Sequence, residues 1–199
     1  MAKEIWKPGT MVYPVPAVMV TVADREGHDN IITVAWTGTV CSDPAMTYIS
    51  VRKSRHSYQM IEDTGEFVIN LTTKKLTRAT DYCGVKSGRD VDKFAEMGLT
   101  RAPASKVKVP LIAESPVNIE CKVVQKLEFG THDMFLAEVL AVQADTAYMD
   151  DTGRFRLYKA EPVAYCHGGY YGLGDLIGTF GYSVKKPPAK KRKKKRQQG

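Results

Sequence analysis

No apolar run in this chain approaches the roughly 20 residues a helix needs to cross a bilayer. The opening stretch Met1-Ala2-Lys3-Glu4-Ile5-Trp6-Lys7-Pro8 lacks the uninterrupted apolar core of a secretory signal. Both absences lead us to expect a cytoplasmic protein without a membrane partner. The four cysteines, Cys41, Cys83, Cys121 and Cys166, are widely spaced and form no Cys-x-x-Cys pair. In a chain of 199 residues with 43% hydrophobic content, one core suffices and reduced thiols are expected rather than a disulfide framework. Cys121, Cys166 and His167 lack structural zinc spacing, so no metal is expected. A Gly-x-Ser-x-Gly elbow is missing too, which removes support for α/β-hydrolase chemistry. The glycines between Tyr171 and Gly178 imitate a dinucleotide loop, but only 21 residues follow Gly178, too few for a βαβ unit. We find no internal repeat.

Excess charge is missing from the body of the chain as well. Lys+Arg number 29 against 22 Asp+Glu, a net charge of +7. Nine of those cations lie between Lys185 and Gly199 with no acid; without them the balance is 20 against 22, or −2. Residues 1–184 therefore read as one domain without a basic nucleic-acid surface, and 185–199 as a low-complexity tail expected to stay unfolded. Weak nucleic-acid or polyanion binding is expected only from that tail.

What the sequence does contain is short β-branched runs. Val15–Ala23, with Pro14 and Pro16, suits the start of an edge strand. A turn cluster, Asp24–Asn30, leads to a return strand opened by Ile31 and running to Trp36. Thr37-Gly38-Thr39 reads as a small polar loop, followed by Ser42-Asp43-Pro44 and a strand over Met46–Val51. Tyr58–Asp63 has a helical look, with Ser54 or Ser57 as cap and Gly65 as C-terminal stop. Glu66–Leu71 reads as a buried strand, Thr72–Tyr82 and Asp90–Met97 as helices, and 102–110 as a loop. Val117–Leu127 and Met134–Ala144 are long strands joined by six residues, a hairpin-sized connection. A turn at 150–153 and a short strand over Glu161–Cys166 follow. Strands dominate and helices cluster in the middle, which argues for an antiparallel closed sheet with helical insertions.

The chemistry concentrates in Arg52-Lys53-Ser54-Arg55-His56-Ser57. Guanidinium charge and short hydroxyls at a helix N-terminus suit a phosphate, although a solvated charge run would look similar. The order of the Asn30–Ser57 block, Asp81-Tyr82-Cys83-Gly84-Val85-Lys86-Ser87-Gly88-Arg89 and Asp92-Lys93-Phe94 resembles the flavin reductase-like, FMN-binding split-barrel family, its flavoredoxin-like subgroup included. The resemblance spans residues 10 to 184. It implies a mainly β fold with helical insertions, a six-stranded Greek-key FMN-binding split β-barrel, and a homodimer with flavin near the subunit interface.

The same resemblance implies the site. Arg52, Ser54, His56 and Ser57 would meet the FMN phosphate. Thr33, Ala35, Trp36, Thr37, Gly38 and Thr39 would border the isoalloxazine, with Trp36 either stacking on the ring or packing in the barrel. Cys83, Gly84, Ser87 and Gly88 would lie in a loop beside the flavin. His132 matches a histidine that lies beside the flavin and nicotinamide rings and is the candidate catalytic residue. The implied activity is NAD(P)H-dependent flavin reduction, with hydride passing from the nicotinamide to FMN. The alternative is a flavoredoxin-type FMN electron carrier serving a redox partner protein.

Overall fold

The structure, a computed structural model, describes residues 1–185; the basic run from 186 onward, and with it the expectation of an unfolded tail, lies outside the described residues. The chain starts with a two-residue strand, β1 (Val15–Pro16), and then enters the main sheet through β2 (Val18–Ala23) and β3 (Asp29–Val34). A bend at Ala35–Trp36 leads to β4 (Thr37–Ser42) and β5 (Ala45–Val51), and helix α1 (His56–Thr64) precedes β6 (Glu66–Asn70). Helices α2 (Thr77–Val85) and α3 (Lys93–Met97) form the insertion, followed by the short strands β7 (Arg101–Ala102) and β8 (Leu111–Ile112). The long hairpin β9 (Val117–Glu128) and β10 (Asp133–Ala144) comes next, then β11 (Val163–Cys166) and β12 (Gly169–Gly172).

The main sheet is antiparallel with order β3-β2-β6-β9-β10-β5-β4, seven strands instead of the expected six. Its two outermost strands, β3 and β4, are consecutive in the chain and separated by two residues. An extended residue spans at most about 3.6 Å, so the two edges must approach each other and the sheet must curl into a barrel. The backbone N–H of Ser50 donates to the Trp36 carbonyl at 2.8 Å, fastening that corner.

β2 is an interior strand, not an edge, and all six of its residues are buried. Alternation is still at work there. Val18, Val20 and Val22 point into the barrel with Ile49, Phe67, Ile69 and Phe135. Met19 faces outward against Ile31, Leu76, Ala79, Cys83 and Phe94 beneath the helical insertion, and Ala23 packs on Val107, Val109 and Leu111. Both faces of the strand are covered, so its outward positions hold Met19, Ala23 and a buried Thr21 that donates to the Pro110 carbonyl at 2.7 Å, in place of solvent-facing polar residues. Truncating Phe67, which is fully buried, to alanine would cost about 3–5 kcal/mol.

Helix α1 closes one end of the barrel with Tyr58, Met60 and Ile61, and Gly65 stops it in the left-handed region at φ 64°, its N–H bonded to the Ile61 carbonyl. The second helix begins at Thr77, after a 3-10 turn at Lys74–Leu76. The third is shorter than Asp90–Met97, because the Asp92 carboxylate accepts from the N–H groups of Phe94 and Ala95 and fixes the start there. The β9–β10 connection has four residues, since Glu128 and Asp133 pair as the last rung of the ladder.

Candidate functional site

Where β5 ends, the chain turns through Arg52–Arg55 into α1. Arg55 is the N-cap in extended conformation, and no side chain caps the helix. Neither Ser54 nor Ser57 performs that expected role. Ser57 is buried, and its Oγ accepts a 2.8 Å bond from Asn30 Nδ2. The first-turn N–H groups of α1 thus have no side-chain acceptor, a local positive field at the mouth of a cleft.

The facing wall of this cleft, about 270 Å³, comes from the end of α2, the loop after it and the start of α3. Its lining carries Arg52, Arg55, His56, Lys86, Arg89 and Lys93, and no carboxylate. Gly88 makes the close approach of that loop to Asn30 feasible, for a Cβ there would fall 2.2 Å from Asn30 Oδ1. Lys93 is 4% exposed and donates from Nζ to the carbonyls of Ile31 at 2.6 Å and Cys83 at 2.9 Å. An ammonium has three N–H donors, so one is left over. Burial pushes its pKa down to about 8. Burial, with Arg89 and Lys93 nearby, also lowers that of His56.

A second cleft, about 400 Å³, shares Ile32, Arg52 and Arg55 with the first and continues along Thr33–Trp36, Ser50, Val51 and His132. Strand register explains how His132 arrives there. Asp133 of β10 pairs with Val51 of β5, which sets His132 next to Arg52. Burial, then Arg52 and Arg55, holds the His132 imidazole below its ordinary pKa, favouring the neutral ring. A third cleft, about 370 Å³, uses Thr33, Ala35 and Trp36 again and adds Gly84 and the tyrosines Tyr13, Tyr165 and Tyr170. The Trp36 and Tyr13 rings lie 6.2 Å apart, tilted by 48°. The three clefts make one furrow with a cationic end and a flatter aromatic end.

Seven of the expected residues line the cationic cleft: Arg52, Ser54, His56, Ser57, Cys83, Ser87 and Gly88. Thr33, Ala35, Trp36 and His132 line the second and Gly84 the third. Trp36 is half-buried and is not among the residues of the barrel core.

The loop reading of Thr37, Gly38 and Thr39 is corrected. They form strand β4 instead of a loop and line none of the three clefts. Thr37 Oγ1 donates to the Tyr48 carbonyl at 2.6 Å, and Thr47 Oγ1 donates to the Gly38 carbonyl at 2.9 Å. β-Branched threonines flanking the glycine pair well across a ladder, and that outweighed the turn signal.

Gly84 is likewise helical, in the last turn of α2. A Cβ there would meet the Thr33 Cβ at 3.2 Å, so the glycine lets helix and strand pack closely. Cys83 is buried, and burial pushes its thiol up to about 11, which keeps it protonated and unsuited to thiolate redox chemistry.

Our sequence reading left out Asn30, Arg55, Lys86, Arg89 and Lys93 as site residues. The usable signal was that Lys93 stands in the Asp92-Lys93-Phe94 string that carries the family resemblance. Its acceptor at Ile31 is 62 residues away, beyond any local pattern.

The donor set suits a phosphate monoester at one end, and the half-buried Thr33–Trp36 edge suits a flat ring at the other. A family model for the flavin reductase like domain matches residues 10–174. The fold is similar to the flavoredoxin of Desulfovibrio vulgaris (Miyazaki F), with TM-score 0.85 and 32% identity, covering 92% of this chain and 100% of that one. It is also similar to the flavoredoxin from Methanosarcina acetivorans, with TM-score 0.83 and 28% identity over the same shares. An uncharacterised protein of Archaeoglobus fulgidus is 33% identical over 121 residues, 61% of this chain and 68% of its own length.

Proposed function

This chain belongs to the flavin reductase like family, in its flavoredoxin-like subgroup, and from that premise we propose that it binds FMN along the furrow and passes a hydride to it from NAD(P)H. The observation that carries the proposal is the cationic cleft: six basic side chains and no carboxylate at the end of a groove that continues past a flat, half-exposed backbone edge. The FMN phosphate takes the cationic end, held by Arg52, Arg55, Ser54, Lys86, Arg89 and the spare N–H of Lys93. The ring system lies along Thr33, Ala35 and Trp36.

Bound FMN supplies the hydride-accepting chemistry. The protein's contribution is placement. Arg52 and Arg55 line both the cationic cleft and the ring cleft, so two guanidiniums link the phosphate end to the ring end. Neutral His132 borders the face on which the nicotinamide stacks and keeps water from that side, and no proton transfer by the imidazole is needed. Cys83 takes no part in electron transfer, since its thiol stays protonated.

A homodimer fits this reading. Leu173, Leu176, Ile177 and Phe180, just past β12, are exposed. A contiguous apolar segment of this kind calls for a cover, and a second copy of the chain supplies one beside the flavin furrow. No helix among the described residues is long and apolar enough to cross a membrane.

Similarity to two flavoredoxins over nearly the whole chain favours a second reading, a bound-FMN electron carrier with a protein redox partner. One experiment separates them. Purified protein loaded with FMN is passed through gel filtration and then mixed with NADH or NADPH. Loss of flavin on the column and rapid oxidation of either nucleotide with added FMN supports the reductase. Retained yellow colour with negligible oxidation of both supports the carrier. A protein that takes up no FMN contradicts both.

A further inference from the structure

Asp133 is a fully buried carboxylate next to an exposed loop, and its bonds run in three directions. Tyr58 Oη on α1 donates to Oδ2 at 2.5 Å, and Lys53 Nζ, from the segment entering α1, lies 3.3 Å from the same oxygen. The backbone N–H of Phe129 donates to Oδ1 at 3.3 Å. Burying a carboxylate costs several kcal/mol before pairing, and a hydrophobic residue of similar size would fill this place more cheaply. The arrangement is thus better explained by what it fixes than by what it stabilises.

It fixes the turn that carries His132. Phe129 is more than half exposed, Thr131 is exposed, and Gly130 has no side chain to anchor. Within that turn the only other side-chain bond among the described residues is local, His132 Nδ1 to Thr131 Oγ1 at 2.9 Å. Among the described residues the turn is otherwise held to the rest of the protein by the end of the β-ladder, by Asp133 and, at its base, by the exposed Lys53–Glu128 pair at 3.8 Å. The other ends of the Asp133 bonds sit in the Lys53–Tyr58 stretch, the same segment that presents Arg52, Ser54 and Arg55 to the cationic cleft.

We propose that Asp133, clamped by Tyr58 and Lys53, is a positioning residue that sets His132 at a fixed distance from the phosphate-binding segment and so aligns the nicotinamide face with the flavin. This rests on the flavin-reductase reading and extends it to three residues outside the furrow. Ser57 is tied to Asn30 and α1 is packed into the barrel independently, so the phosphate side keeps its shape when Asp133 is altered. Only the turn loosens.

Two variants test this without disturbing the core. Asp133→Asn preserves the volume, and Tyr58→Phe preserves the edge-to-face contact with Phe135 at 5.3 Å. Each should slow single-turnover flavin reduction by about tenfold or more while FMN affinity stays nearly unchanged. Combined with His132→Ala, neither should add to the loss that His132→Ala causes alone, because both act through the same ring. Losses that multiply, or an FMN affinity that falls as far as the rate, would overturn the proposal.

Amide hydrogen exchange on the FMN-loaded protein gives a readout independent of any nucleotide. Exchange at residues 129–132 should rise in Asp133→Asn with α1 unchanged. Exchange that stays at the parent level there, or rises equally through α1, overturns the proposal even for a protein that NAD(P)H does not reduce. Raised exchange in such a protein leaves the positioning intact and places the failure in the hydride-transfer reading.

Discussion

Glu120 and Lys93 are both buried charged side chains, and the protein treats them in opposite ways. Glu120 is 0% exposed, and its carboxylate accepts from the N–H groups of Ser105, Lys106 and Val107, the Ser105 hydroxyl and the Gln143 amide. Burial alone would push its pKa up, but this set of donors, led by Gln143 and Ser105, brings it down to about 2. Lys93 has two carbonyl acceptors for three N–H donors and forms part of a cleft wall, and burial brings its ammonium down to about 8. One charge is satisfied from within. The other is left in a state that an incoming anion would relieve. That difference separates a structural charge from a binding charge more sharply than burial does.

The comparison breaks first on stability. Glu120→Ala strands several backbone donors under the 103–109 loop and should cost about 3–5 kcal/mol in urea unfolding. The fraction that remains folded should bind FMN as before. Lys93→Met should act mainly on binding. It removes a penalised cation but leaves the Ile31 and Cys83 carbonyls without that donor, so stability should fall by less than in Glu120→Ala, while FMN affinity should drop by about ten- to a hundredfold from losing one charge-assisted bond. A stability loss in Lys93→Met equal to that of Glu120→Ala would show that the two charges are not different in kind.

His132→Ala probes the far end of the furrow. It should slow flavin reduction in stopped flow by about tenfold or more with little change in FMN affinity. A parent-like rate would return His132 to the ordinary loop histidines.

The pH dependence follows from the same two charges. Lys93 in the free protein loses its proton as pH rises through about 8, whereas the bound phosphate favours the charged form. FMN affinity should therefore fall by up to about tenfold between pH 7 and 9, and riboflavin affinity should not. At the acid end the sign is that of a depressed carboxyl. The stability that Glu120 contributes is complete above its ordinary value of 4.5 and is lost as pH falls toward about 2. Glu120→Gln should flatten that part of the stability curve.

Local signals carried much of this molecule. Gly65 was readable as a helix stop because a left-handed residue after a helix favours glycine, and the β9–β10 hairpin because two long β-branched runs met across a short link. The Arg52–Ser57 cluster stood out by charge. The misreadings share one cause, which is that tertiary cover is invisible to periodicity. Val15–Ala23 looked like the start of an edge strand, yet the helical insertion hides the outer face of its Val18–Ala23 part. Thr37–Thr39 looked like a turn, yet it finds a partner in β5. Ser57 looked like a cap, yet Asn30, 27 residues earlier, claims its hydroxyl. Lys86, Arg89 and Lys93 went unassigned because the cleft they share with Arg52 exists only once α2 and α3 have packed on β3.

Titration of FMN and of riboflavin into the purified protein, followed by calorimetry or flavin fluorescence, tests the central claim most directly. The two ligands share the ring and differ in the phosphate that the cationic cleft is proposed to hold. The account predicts FMN tighter than riboflavin by about tenfold or more, with Arg89→Ala, at a residue that lines the cationic cleft and not the ring cleft, narrowing the gap by weakening FMN alone. Equal affinities, or binding of neither, would contradict it.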